Sequence, residues 1–311
     1  MSRTKSIAQY IPGAHSAYRF IRLLVNIRKG AAFPMLDLYP AGHFHSPLPD
    51  LKEVASAESL IFNQDVRELP GIELGERRQL DLLDEMSAYY GDLPFPETAA
   101  ESGRYFYRNG FFSYGDAIVL YGLLRHFKPR RVIEIGSGFS SAVMLDTSDL
   151  FLKGSVDFTF IDPFPQRLLA LLKAEDRLRH RLIREKVQAV DVSLFETLGA
   201  NDLLFIDSSH VGKVGSDVLR ILFEVLPRLK SGVIVHFHDI LWPFEYPKEW
   251  IVSGTVWNEA YLLRAFLQYN EGFRILYFNS FMARFHQETL RRKMPLCLQN
   301  PGGSLWIKRE A

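Results

Sequence analysis

From about Phe111 onward the chain alternates short apolar runs with longer amphipathic ones. "RVIEIG", "DFTFIDP", "DLLFIDSSH" and "GVIVHFHDI" are nearly continuous runs of β-branched and aromatic residues, the pattern of strands buried on both faces. Between them lie segments with helical spacing: "YGDAIVLYGLLRHF", the run from Ser140, "QRLLALLKAEDRLRHRL" and "SDVLRILFEVLPRL". "IREKVQAVD" is read as containing the third strand. "VWNEAYLLRAFLQY", "RILYFNS" and "GGSLWIKR" complete the set as a helix and two strands. Strands alternating with helices of about 10–15 residues predict an α/β fold with a doubly wound, mostly parallel sheet. Before residue 100 the pattern is irregular. Proline-rich turns ("HSPLPD", "GDLPFPET") separate short helical runs such as "GERRQLDLLDEMSAYY". The expected division is therefore an N-terminal extension over 1–100, packing on or capping the core, and a main domain over 101–311.

Composition narrows the function classes. With 37 Lys+Arg against 36 Asp+Glu the formal charge is +1, and no basic run interleaved with aromatics suggests nucleic acid. The single cysteine, Cys297, leaves no intrachain disulfide and no CxxC metal site, which fits a reducing, cytoplasmic setting. No run reaches the roughly 18 apolar residues of a membrane span. The stretch from Ala17 to Leu36 is a basic amphipathic helix candidate, interrupted by arginines in a way that a signal peptide is not. It is suited either to peripheral membrane or partner contact or to packing Phe20, Leu23 and Leu24 on the main domain.

The chemistry begins at "VIEIGSGFSSAVMLD", Val132 to Asp146. Gly136 and Gly138 allow a tight turn where a strand passes into a helix, the place where ligands of open α/β sheets collect. A dinucleotide fingerprint would place a third glycine at position 141, which is Ser141, and a P-loop would need Gly-Lys-Ser/Thr. Instead an acid, Glu134, precedes the turn. It would repel a pyrophosphate and attract a cationic ligand, the competing reading being a buried acid paired with an arginine. This acid-x-Gly-x-Gly turn resembles the first motif of the class I S-adenosylmethionine (SAM) dependent methyltransferases. The resemblance covers roughly Phe112 to Asp239 and implies a seven-stranded Rossmann-like sheet with an antiparallel last strand. It implies further that Glu134 lies near the cationic methionine part of SAM and that Gly136, Ser137, Gly138 and Ser140 line the turn. Asp162 in "FIDP" would take the ribose hydroxyls, and Asp191 would approach the adenine.

Two further strand ends carry candidate catalytic groups: Asp207 and His210 after "LLFI", and His236, His238 and Asp239 in "GVIVHFHDI". Asp207, His238 and Asp239 form a candidate N/O set for Mg²⁺ or another divalent cation. The layout is similar to the catechol and macrocin-type O-methyltransferases, although His238 and Asp239 stand where that pattern has an aspartate and an asparagine. His210 occupies the position of the lysine base and is expected to act as general base, with Asp207 and Asp239 as its catalytic neighbours. Asp207 alone could equally cap the turn after its strand, and His236 is read as pointing away from His238 in a core or supporting role. The aromatic segment over about 241–260 is either a lid forming an acceptor pocket or an aromatic mini-core. "YFYRNGFFSYGDA" is expected to cover the cofactor from the other side. The implied function is methyl transfer from SAM to a hydroxyl of a small molecule or sugar-containing acceptor, by a chain that could self-associate. The alternatives are an inactive binding or scaffold protein on the same fold, or a nucleotide-cofactor oxidoreductase, which Glu134 and the incomplete glycine pattern disfavour.

Overall fold

The computed structural model describes residues 39–100 and 103–310; the basic segment Ala17 to Leu36 lies outside them. Two compact units divide at Ile61 and Phe62. In the described part of the first, helix α1 (Leu51–Ser56) is capped by the Asp50 carboxylate, which accepts from the Lys52 amide, and α2 (Glu58–Ile61) follows.

The second unit, Phe62 to Ala311, carries the sheet. It opens with α3 (Glu76–Ser87), which lies inside the expected extension yet packs on α4 (Tyr114–Phe127) and on the sheet. Then come β1 (Arg131–Ile135), α5 (Phe139–Phe151), β2 (Asp157–Ile161), α6 (Gln166–Leu171), α7 (Asp176–Arg179), β3 (Arg181–Ile183), β4 (Leu203–Ile206), α8 (Asp217–Arg220) and β5 (Ile234–Phe237). The remainder is α9 (Lys248–Ser253), α10 (Glu259–Leu267), β6 (Phe273–Phe278), α11 (Asn279–Phe285), α12 (Gln287–Lys293) and β7 (Leu305–Arg309). The sheet has seven strands in the order β3-β2-β1-β4-β5-β7-β6. β1 to β5 pair in parallel, and β7 lies antiparallel between β5 and β6. The order reverses between β1 and β4, so the crevice at their carboxyl ends is the switch point of a doubly wound sheet.

The parallel strands are apolar because helices cover both faces: every residue of β4 and β5 is buried, His236 among them. Two expectations are corrected. The run "QRLLALLKAEDRLRHRL" is not one helix but α6, α7 and the start of β3, which therefore ends at Ile183, well before Asp191. The helix expected over 216–229 tightens and loosens along its length, passing through a π-turn at Ile221–Val225 to a 3₁₀ turn containing Pro227, which cannot donate to the helical ladder.

An arginine that carries no sequence motif anchors the approach to α4. Arg104 is buried, and its guanidinium donates to Asp146 (2.6 Å), to Asp149 (2.9 Å) and twice to Asp176 (2.6 and 2.8 Å). Burial alone would lower its pKa, but the carboxylates raise it, and Asp176 is lowered in turn. The bidentate bond ties α7 to α5 and to the chain entering the domain.

Candidate functional site at the carboxyl ends of the strands

The β1–α5 turn is shaped by crowding. Gly136 has φ +77°, and a Cβ there would lie 1.8 Å from the Asp207 carbonyl oxygen. Glycine is thus required by the close passage of the chain leaving β4. Ser137 donates through its amide and its hydroxyl (3.1 and 2.6 Å) to one Asp162 carboxylate oxygen, while the Phe164 amide donates to the other at 2.7 Å. A cavity of about 800 Å³ opens here. It is lined by Gly136, Ser137 and Asp162, by Asp207, Ser208 and Asp217, and by the basic residues Arg167, Lys186 and Lys213. A separate cavity of about 410 Å³, between Gly71 and Glu310, is lined by none of the expected site residues.

Glu134 does not face the large cavity. It is fully buried, and its two carboxylate oxygens accept from the hydroxyls of Ser140 and Ser141 in the first turn of α5. Burial raises its pKa to about 8 against the two serine hydrogen bonds. The expected contact with a cationic ligand is replaced by a clamp between β1 and α5, and among the described residues no arginine partners the acid. Ser140 is spent on that clamp. The Gly138 amide donates to the Ser141 hydroxyl, and a Cβ at Gly138 would meet the Arg167 side chain at 2.8 Å. Asp191 is also off the cavity: it is exposed and accepts from the Ser193 amide at 2.9 Å, a cap that lowers its pKa. Residues 186–188 take the wall position expected of it because β3 ends earlier than the sequence suggested.

Beyond the cavity the loops after β4 and β5 meet. His210 (φ +59°) and Asp239 (φ +55°) both adopt the left-handed conformation, uncommon outside glycine, which turns their side chains toward one another. His210 Nδ1 lies 2.9 Å from Glu259 Oε2, and its Nε2 is 3.3 Å from Asp207 Oδ1 and 3.8 Å from Asp239 Oδ2. Burial would lower the pKa of this ring, but its hydrogen bonds to Asp207 and Glu259 raise it to about 10. At neutral pH His210 is an imidazolium with no lone pair to receive a proton, at variance with the general-base role expected of it. Asp207 stays low although burial opposes this, held there by His238 and His210.

His238 Nε2 stands 3.8 Å from Asp239 Oδ1, with its ring 5.2 Å from that of Phe112. His236 is not turned away from it: residues two apart on a strand share a face, and the rings are 5.7 Å apart. His236 Nε2 lies 2.9 Å from the Ser304 hydroxyl, which donates to Asp116 at 2.6 Å. Burial drives the His236 pKa well down and that of Asp116 up to about 6. The expected trio Asp207, His238 and Asp239 does not form a metal site. The His210 Nε2 lies near both carboxylates, and among the described residues no group of three or more His, Cys, Asp or Glu side chains is arranged to hold an ion.

Of the aromatic segment, Trp242, Phe244 and Tyr246 are buried and belong to the core. Trp250 and Trp257 are half-buried and meet at 5.4 Å, with Trp257 lying 4.3 Å from the His210 ring. On the other side Tyr105, Tyr107, Phe112 and Tyr114 are likewise buried. Phe111 is exposed there, and Arg167 sits over its ring at 3.8 Å. Glu259 is the site residue that the sequence reading missed. It lies 49 positions from His210 on a helix read as part of the lid, and nothing in the local pattern distinguishes it from a solvated acid.

Comparisons with known proteins agree with this frame. A methyltransferase domain family model matches residues 133–240. A protein of Archaeoglobus fulgidus described as uncharacterized is 36% identical over 172 residues, spanning 53% of this chain and 75% of its own length. Among solved structures, the SAH-bound Podospora anserina methyltransferase PaMTH1 is 16% identical, covering 86% of this chain and 100% of that one, with a TM-score of 0.40. The O-methyltransferase TomG from Streptomyces achromogenes is 12% identical, covering 84% and 97%, with a TM-score of 0.38. At such scores the solved structures add no weight beyond the family match and the archaeal relative. Over residues 133–240 the chain is thus similar to the methyltransferase domain family, in agreement with the resemblance that its acid-x-Gly-x-Gly turn carries.

Proposed function

We propose that the chain transfers a methyl group from SAM to a hydroxyl of a small-molecule or sugar-containing acceptor. The domain over 101–311 would do this work, with the segment about 241–260 as its lid. The observation that carries the reading is that Asp162, Gly136 and Asp207 line one cavity, with His210 within 3.3 Å of Asp207 and 3.8 Å of Asp239. The wall suits the donor's mixed charge: Asp162, Asp207 and Asp217 face Arg167, Lys186 and Lys213, and the buried Ser208 hydroxyl on the same wall has no protein partner. Asp162 would accept the ribose hydroxyls, and the Gly136–Ser137 turn would admit the methionine part. SAM supplies an electrophilic methyl carried on a sulfonium.

The chain's own residues would then manage one proton. The imidazolium of His210 lowers the pKa of an acceptor hydroxyl placed against it, and the Asp239 carboxylate receives the released proton. Trp257, lying against the ring, would limit the access of water to it. The buried thiol of Cys297, free of any disulfide, supports a reducing cytoplasmic location.

Calorimetry with S-adenosylhomocysteine is the test, paired with methyl transfer from labelled SAM to a panel of hydroxylated acceptors. Asp162→Ala is expected to weaken binding by about 1.5–3 kcal/mol, the loss of a charge-assisted hydrogen-bond pair. Binding of NADH in place of S-adenosylhomocysteine would sink the reading.

A further inference from the structure

Asp207 and Asp239 leave adjacent parallel strands and converge on one atom, His210 Nε2, at 3.3 and 3.8 Å. Two carboxylates brought together at a partly buried point repel each other unless a cation stands between them. A divalent ion there would need oxygen ligands at about 2.0–2.6 Å. Here the group near both carboxylates is a ring nitrogen, and the ring's far nitrogen faces a third carboxylate, Glu259, at 2.9 Å. We propose that His210 is a built-in cation, occupying between Asp207 and Asp239 the position that a divalent ion would otherwise take. The corner Asn258–Glu259 is the device that seats it.

Four observations stand behind this beyond the ring's own contacts. First, the corner grips the His210 backbone: the amides of Asn258 and Glu259 both donate to the His210 carbonyl, at 3.1 and 3.2 Å. Second, Asn258 closes on Gly212 in both directions, its side-chain oxygen accepting from the Gly212 amide at 2.6 Å and its amide donating to the Gly212 carbonyl at 3.1 Å. Third, left-handed backbone at both His210 and Asp239 aims the two side chains into the same space, a conformation that persists only where surrounding contacts hold it. Fourth, Trp257 lies on the ring, whose side chain is 5% exposed. Burial of so polar a ring is sustained because both nitrogens meet carboxylates, and the raised pKa of His210 agrees with that geometry. Glu259 and Asn258 are positioning residues, acting on the reaction through His210.

This rests on the methyl-transfer reading only for its catalytic consequence. Occupancy of the space between the carboxylates is measured apart from activity, so either can fail alone. Mn²⁺ binding followed by electron paramagnetic resonance reads it directly. The wild-type protein is expected to leave Mn²⁺ free up to millimolar concentrations. His210→Ala, which opens the space, is expected to bind the ion at least about tenfold more tightly, as two freed carboxylate ligands allow. His210→Ala combined with Asp239→Asn should lose that gain. Wild-type binding of Mn²⁺ that Asp239→Asn abolishes would overturn the proposal. So would a folded His210→Ala protein that binds no more Mn²⁺ than wild type. Should the alanine variant fail to fold, the wild-type titration with its Asp239→Asn control decides alone: no binding supports the built-in cation and Asp239-dependent binding refutes it.

Discussion

Replacing Glu259 by glutamine changes one charge and almost no volume, which makes it a clean probe of the His210 ring. In the wild type the ring faces Glu259 at 2.9 Å, Asp207 at 3.3 Å and Asp239 at 3.8 Å, with Trp257 against its face. Burial disfavours its charged form, and the hydrogen bonds to Asp207 and Glu259 overcome this to place its pKa at about 10. A hydrogen bond to a charged partner contributes about 1.5–3 kcal/mol. One pH unit corresponds to about 1.4 kcal/mol, so Glu259→Gln should lower the His210 pKa by about one to two pH units. Histidine imidazole resonances followed by nitrogen-15 NMR from pH 5 to 11 would read this directly. The folded value lies above the unfolded one of about 6.5, so the stability that His210 contributes is complete below that pH and is lost as pH rises through about 10. In the variant the loss should begin earlier, and methyl transfer should decline earlier on the same alkaline limb. A wild-type His210 that titrates near 6.5, or one that Glu259→Gln leaves unmoved, would refute the reasoning.

Three further outcomes follow from the structure. Gly136→Ala should lower the melting temperature and abolish S-adenosylhomocysteine binding: left-handed backbone costs alanine about 1–2 kcal/mol, and its Cβ meets the Asp207 carbonyl oxygen. An unchanged melting curve would contradict this. Arg104→Met should destabilise the fold by about 3–5 kcal/mol in urea titration, because Asp146 and Asp176 are left buried without their cation; a loss below about 1 kcal/mol would show the network to be dispensable. Glu134 holds its proton more tightly folded than unfolded, so stability should fall as pH rises from about 4.5 to about 8. Glu134→Gln should flatten that slope, and an unchanged slope would assign the effect to another group.

The parallel core was legible because its strands are buried on both faces and so are written as unbroken apolar runs. Their ends were legible too, since Asp162 and Asp207 interrupt those runs where the chain turns out of the sheet. The third strand was misplaced for the converse reason: Arg181–Ile183 is three residues at the sheet margin, none fully buried, and it leaves almost no apolar signature. Asp191 was misassigned with it. Glu134 was identified as unusual, but an acid beside a glycine turn reads the same whether it faces a ligand or two serines six and seven positions on. His210 is legible as an ionisable group on the loop after its strand, but its charge depends on Glu259, 49 positions away, which no local pattern connects to it.

The grip of Asn258 and Glu259 on the 210–212 loop also bears on what a smallest working piece of this protein would be. The stretch similar to the methyltransferase domain family ends at residue 240, just past Asp239, and a fragment trimmed there would keep every strand-end acid of the site. It would lose the corner that gives His210 its second carboxylate and holds its carbonyl. During synthesis the same holds in time: β1 to β5 can emerge and begin to pair before the residues that complete the His210 environment have been made. The site is therefore finished late, by a segment that contributes no strand to the parallel half of the sheet.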